Sequence, residues 1–448
     1  MTYLIKARYL MTMDSNYGIL KDGALVIEKD KIVAVGPYDA IKKEYGSEDV
    51  IDKSKSIVIP GLISSHNHMY GILSHGMPIP NAPSSFIGFL EDFWWPFVEN
   101  VLDKEMIYWA SKMAAIEMIK TGTTMHSDIL EAPNAIPGAL DEEAKATEEV
   151  GIRSILSFEA TERISPENGE LGIKENLEFV RSRNNKASLT RGMFCIHTTF
   201  TCSPEFLKRV RKIANEFDVG IQLHLEEGAY EGMYSLIHYR KLPVELYEEI
   251  GFLGPDVLAS QCVHTKPHEI EILKKYDVKI SHMPVSNCEV GGGIAPIPEF
   301  LKTGLKVGLG TDGYVVDMFD VMRFAFLIHK ANKQDASVMP ADVVFKMATI
   351  DNARVLRMEK EIGSLSPGKK ADITILDPNL PTPINENNLY AQLVTFGTGA
   401  LVSDVIIDGR FVMRDRKITT VNENEVRETF TEVAQAFWDG IIRKSKER

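Results

Sequence analysis

The run Ile57-Val-Ile-Pro-Gly-Leu-Ile-Ser-Ser-His66-Asn-His68 ends an apolar, strand-like stretch in two imidazoles one residue apart. Side chains at i and i+2 of a strand share a face, so His66 and His68 can address a single metal ion. A neutral imidazole is a good donor for zinc, iron or copper, and a pair at a strand end leaves room for ligands from elsewhere in the chain. Other residues of ligand or proton-carrying type recur further on: His224 with Glu227 three positions later, His264, and Asp312 inside Gly308-Leu-Gly-Thr-Asp-Gly313. Taken singly, each is more simply a hydrogen-bonded structural residue. Together they suggest a metal that activates water.

These residues need a frame that brings them to one place. From about 58 to 355, apolar β-like runs alternate with helical ones. With the run ending at His68, the segments 123–128, 152–158, 193–197, 219–224, 257–264, 278–282 and 307–312 make up the candidate strands. Stretches such as 104–120 and 204–217 carry helical apolar spacing, and this alternation predicts a (β/α)8 TIM-like barrel of class α/β. In such barrels the active site lies at the C-terminal ends of the strands. His224 closes the fifth expected strand, His264 the sixth and Asp312 the eighth. Residues 1–58 and those after about 360 read as short strands with turn signals, ending in a helix over about 423–443. The expected division is therefore a barrel over 59–359 and a small discontinuous β-sandwich domain built from 1–58 and 360–448.

Composition narrows the function classes. The 448 residues are 44% hydrophobic and 25% charged, with a formal net charge of −13. That charge disfavours nucleic acid and anionic membranes as partners and leaves a small molecule as the expected ligand. No apolar run approaches the roughly 18 residues of a membrane span. The N-terminus lacks a signal-peptide layout, which gives a cytoplasmic expectation. Four cysteines, none in a CxxC pair, argue against a disulfide framework or a thiolate metal site. Gly291-Gly-Gly293 is no phosphate loop, since no GK[ST] follows.

The set His66-x-His68 after Pro60-Gly61, His224-x-x-Glu227, His264, Ser281-His-Met-Pro-Val-Ser-Asn287 and Gly310-Thr-Asp-Gly313 resembles the amidohydrolase superfamily. More narrowly it is similar to the mononuclear branch of cytosine, guanine and S-adenosylhomocysteine deaminases and triazine chlorohydrolases. The stretches around Trp94-Trp95 and 310–319 look closer to aminohydrolases associated with selenium metabolism. The resemblance implies His66, His68, His224 and Asp312 as metal ligands and Glu227, His264 and Asp312 as the proton-handling residues. It also implies a homo-oligomer, for which the aromatic segment 86–95 is a candidate contact surface.

A divalent metal lowers the pKa of a bound water from about 15.7 toward about 7. Asp312 could then accept the water's proton, Glu227 could deliver one to a ring nitrogen or leaving group, and His264 could polarise the attacked carbon or hold the water. The fourth expected strand offers Cys195-Ile-His197 and no lysine to bridge two metals, so one ion is expected. Zinc fits the mixed nitrogen and oxygen set, with iron(II) as the alternative. For the substrate, His197 matches a substrate-contacting histidine of the branch, Phe89 takes the place of a stacking aromatic, and His282 is a further pocket candidate. Relatives hold ribose or carboxylate groups with arginines after the third strand. Here Phe158-Glu-Ala-Thr-Glu-Arg163 offers Arg163 alone, and Glu159 with Arg163 makes either a polar recognition pair or, as the favoured arrangement, a loop salt bridge.

The function expected is hydrolysis of a non-peptide carbon–nitrogen bond, deaminating an amino-substituted heterocycle. Cyclic-amide or triazine C–Cl hydrolysis on the same site is the alternative within enzymes, and a non-catalytic metal-binding barrel is the alternative outside them.

Overall fold

The computed structural model describes residues 2–46, 49–78, 83–184 and 188–447. Eight parallel strands follow one another around a barrel: Leu62–Asn67, Thr123–Leu130, Arg153–Ala160, Phe194–Ile196, Ile221–Leu225, Val257–Gln261, Lys279–His282 and Val307–Leu309. A short extra strand, Thr190–Gly192, also pairs with the third.

The helices between the strands start where local chemistry dictates. Ser165 and Ser203 each accept a backbone N–H three residues on and precede a proline in the first turn, at Pro166–Arg183 and Pro204–Phe217. A serine N-cap followed by proline satisfies one orphan amide and removes another. Phe206, Leu207, Val210 and Ala214 then form the buried stripe of the second of these helices.

The barrel closes between its eighth and first strands, and this seam also builds the site. Asn67 and Asp312 form a parallel bridge. The amides of Thr311 and Asp312 both donate to the His66 carbonyl, at 3.0 and 3.1 Å. Gly310 is required here, because a Cβ on it would lie 2.8 Å from the His66 carbonyl oxygen. Asn352 spans the seam, accepting from Leu309 N at 2.8 Å and donating to the carbonyls of Leu309 and Ile63.

The remaining strands form one continuous nine-stranded sheet that joins both ends of the chain. The meeting point is the antiparallel pairing of Val50–Pro60 with Ile373–Leu376. The edge strand Lys31–Pro37 curls back to the segment before Ile373: Ile32 N donates to the Lys369 carbonyl and Ala371 N to that of Asp30, each at 2.9 Å. The sheet packs around an apolar layer of Ile5, Leu25, Ile27, Val58, Ile373 and Ile406.

Pro60-Gly61 carries the chain from sheet to barrel, and a side chain at Gly61 would collide with Thr124. Beside it Arg153 grips Asp372 with two hydrogen bonds of 2.7 and 3.0 Å. The last helix, Glu423–Glu447, packs on Lys104–Lys120, and its Trp438 indole donates to the Leu73 carbonyl at 2.6 Å. Among the described residues no helix is long and apolar enough to cross a membrane.

Candidate active site

His66 lies within the first barrel strand, His68 one residue past its end and His224 in the fifth. Each presents a ring nitrogen within 4.8 Å of the other two. His68 Nε2 is 3.3 Å from His224 Nε2. Asp312, delivered by the closing seam, brings its carboxylate to 3.6 Å from His68 Nε2 and 3.9 Å from His66 Nε2.

The outer nitrogens of the first two rings are held by the fold. His66 Nδ1 pairs with Ser260 Oγ at 2.9 Å, and His68 Nδ1 donates to the Ile129 carbonyl at 2.8 Å. Such partners fix the ring orientation and turn the inner nitrogens toward the cluster. His66 Nε2 is buried with no hydrogen-bond partner at all. A tetrahedral ion with bonds of about 2.0–2.1 Å puts its ligand atoms roughly 3.3–3.5 Å apart. Three imidazoles and a carboxylate at the spacings above fit one divalent ion.

The electrostatics divide the cluster: burial opposes a charge on His68, but Asp312, Glu131 and Asp128 raise its pKa above the ordinary histidine value. Burial, with help from the neighbouring histidines, holds His66 well below the ordinary histidine range and His224 down to about 4, so both are neutral donors. Burial opposes ionisation of Asp312, but the facing His68 and His66 pull its carboxyl down to about 2. Gly313 N and Gln261 Nε2, each at 2.7 Å, hold the two Asp312 oxygens. Asp312 adopts φ 59°, a left-handed conformation that a non-glycine residue rarely takes and that clusters at functional sites. Glu227 is buried beside this group, and burial together with the Asp312 charge pushes its carboxyl well above the usual range.

A cavity of about 680 Å³ opens over the cluster, lined by His68, His197, His224, Glu227 and Asp312 among others. Phe89 lines it too, on a π-helical turn, Phe89–Trp94, within the aromatic segment. The 86–95 stretch thus forms a wall of the cavity. His197 faces the cavity, its Nδ1 paired with Thr201 Oγ1 at 2.7 Å.

Two expected residues stand elsewhere. The sixth strand stops at Gln261, because Gln261 and Cys262 adopt φ 75° and 51° and end the extended backbone. His264 is therefore carried past the rim, where its Nε2 meets the Gly292 carbonyl at 2.9 Å, and it is Gln261 that lines the cavity and grips Asp312. His282 ends the seventh strand but turns to His329, with the two Nε2 atoms 3.0 Å apart, and lies outside the cavity lining. The Glu159–Arg163 salt bridge does not form either. Arg163 donates to Glu99 at 2.7 Å, while Glu159 lies 3.2 Å from His224 Nδ1.

Sequence reading missed Gln261, Ser260, Tyr70, Glu99 and Glu131. Only the acids carried a usable signal: Glu131 follows the second strand as Glu227 follows the fifth, at the rim where a barrel places its chemistry.

With this geometry in place the comparisons are unambiguous. Residues 57–412 match the model of the amidohydrolase family, and the chain belongs to that family. It is 35% identical over 437 residues to a 5'-deoxyadenosine deaminase of Methanosarcina mazei, covering 96% of this chain and 97% of that one. It is also 35% identical over 433 residues to a 5-methylthioadenosine/S-adenosylhomocysteine deaminase of Thermoanaerobacter pseudethanolicus, covering 95% and 97%. In fold it is similar to an adenosine deaminase of Xanthomonas campestris with bound zinc: TM-score 0.88, 23% identity, and 98% of both chains covered.

Proposed function

We propose that this protein is a metal-dependent aminohydrolase that removes the exocyclic amino group of an adenine nucleoside with a modified 5' position. The observation that carries the reading is the convergence of His66, His68, His224 and Asp312 at a cavity of about 680 Å³, with Glu227 beside them. The names of the similar proteins supply the substrate class.

His66, His68, His224 and Asp312 would hold one zinc ion. Bound there, the ion supplies a water acidified to near neutral pH and polarises the carbon under attack. Everything else is done by the chain. Asp312, ionised and fixed by Gly313 and Gln261, accepts the proton of the attacking water. Glu227, kept protonated by its burial, gives a proton to the ring nitrogen beside the attacked carbon. Asp312 then passes the water's proton to the amino group, which leaves as ammonia as the C–N bond breaks, and the proton of the added hydroxyl returns to Glu227 as the C=O bond forms. Phe89 and Trp94 wall the cavity against solvent and offer flat faces to a base. His197 supplies a polar contact from the fourth strand.

The barrel, over about 59–359, carries this chemistry, and the sheet of the two chain ends supports it. All four cysteines are unpaired, which suits a reducing compartment such as the cytoplasm. The test is an ammonia assay of zinc-loaded protein with 5'-deoxyadenosine and 5'-methylthioadenosine. We expect one ammonia per nucleoside with the matching inosine product. Absence of ammonia from either nucleoside would overturn the reading.

A further inference from the structure

The sixth strand, Val257–Gln261, delivers two neighbouring side chains to the histidine cluster. Successive side chains of an extended strand face opposite sides. Yet Ser260 Oγ meets His66 Nδ1 at 2.9 Å, and Gln261 Nε2 meets Asp312 Oδ2 at 2.7 Å. The backbone makes this possible by turning left-handed at Gln261 and Cys262, and the Cys262 amide pins the turn by donating to the Leu225 carbonyl at 2.8 Å. Such a conformation is unfavourable for residues other than glycine and persists only where the surroundings hold it.

Gln261 is buried, and its amide has one donor end and one acceptor end. Its Nε2 holds the Asp312 carboxylate, and its Oε1 accepts a hydrogen bond from Asn287 Nδ2. Asn287 lies on the short helix Pro284–Glu289 after the seventh strand, is buried and stands outside the cavity lining. Among the described residues its own Oδ1 has no partner, so the contact to Gln261 is the one hydrogen bond its side chain makes. The end of that helix is braced in turn. Gly292 N donates to the Asn287 carbonyl at 3.0 Å, and the Gly292 carbonyl accepts from His264 Nε2 at 2.9 Å.

An ionised carboxylate accepts hydrogen bonds and never donates, so Asp312 is served only by the N–H end of the Gln261 amide. Turned over, that amide would set its carbonyl oxygen against the negative charge and its N–H against that of Asn287. Resting on the reading of Asp312 as zinc ligand and base, we infer that Asn287 is a positioning residue that acts through Gln261. It fixes which end of the amide faces Asp312, and so holds the carboxylate in the orientation that meets His66 and His68. Both amides are neutral, so they hold Asp312 without adding a charge to the cluster. Without Asn287, the Gln261 carbonyl oxygen would be buried and unanswered, and the amide would lose the contact that orients it.

The test is a double-mutant cycle on the full chain with Asn287→Leu, Gln261→Met and the two combined. Zinc affinity of the metal-free protein is read by calorimetric titration, and kcat and KM by ammonia release from 5'-deoxyadenosine at saturating zinc. Each single substitution is expected to weaken zinc binding by about tenfold or more and to lower kcat, with KM little changed. The combined variant is expected to match Gln261→Met alone, because residues that act through one contact are not additive. A merely structural asparagine would multiply the two losses. That outcome, or wild-type zinc affinity in Asn287→Leu, overturns the proposal. Asn287→Ser, smaller and still polar, repeats the cycle, with the fold of each variant checked by circular dichroism. If the wild type binds zinc but releases no ammonia, the deaminase reading falls while non-additive losses of zinc affinity still uphold the role of Asn287. Failure of the wild type to bind zinc overturns both.

Discussion

Glu227 and Asp312 are two carboxyl groups in one cavity whose surroundings drive them in opposite directions. Asp312 faces two imidazoles and accepts two N–H groups, so it stays ionised, whereas Glu227 meets burial and a neighbouring negative charge and keeps its proton. That division is what an acid–base pair needs. Glu227→Gln keeps the shape and removes the proton donor. It is expected to lower kcat by about 10² to 10⁴ with zinc content unchanged, measured by steady-state assay and elemental analysis. Retained activity would remove Glu227 from the mechanism. At this scale the sequence was legible where a residue's type declares its chemistry, as with the three clustered histidines. It was opaque where geometry assigns the task. No residue type announces that Gln261 will hold Asp312, and Glu99, Glu131 and Glu159 meet only because a loop helix is folded against the second and third strands.

The elements explain both the successes and the failures of that reading. Helices Lys104–Lys120 and Pro204–Phe217 sit where apolar spacing and capping residues place them. The strand ends are less regular, because alternation of side chains says nothing about where φ turns positive. That is how the sixth strand came to be read through to His264, when the backbone leaves the extended region at Gln261 and Cys262. The π-helical turn at Phe89–Trp94 was likewise read as an aromatic cluster without an element of its own. Between the barrel and the sheet, Arg153 on the third strand and Asp372 before Ile373–Leu376 form a buried two-point contact. Breaking one partner of such a pair leaves an uncompensated charge. Asp372→Asn is expected to destabilise the fold by about 3 kcal/mol, read as a lower urea midpoint. A midpoint equal to wild type would show that the contact does not hold the two parts together.

For the whole molecule, the seam that closes the barrel and the site that does the chemistry are the same stretch of chain. His66 gives its ring to the histidine cluster and its carbonyl to Thr311 and Asp312, so the register that closes the sheet also sets the position of Asp312, the proposed fourth ligand. The central claim, that four side chains converge to hold one ion, is tested most directly by calorimetric titration of metal-free protein with zinc, beside His66→Ala. The account predicts one tight site per chain in the wild type and its loss in the variant, with the fold retained by circular dichroism. Zinc binding unchanged in His66→Ala, or no binding by the wild type, would contradict it.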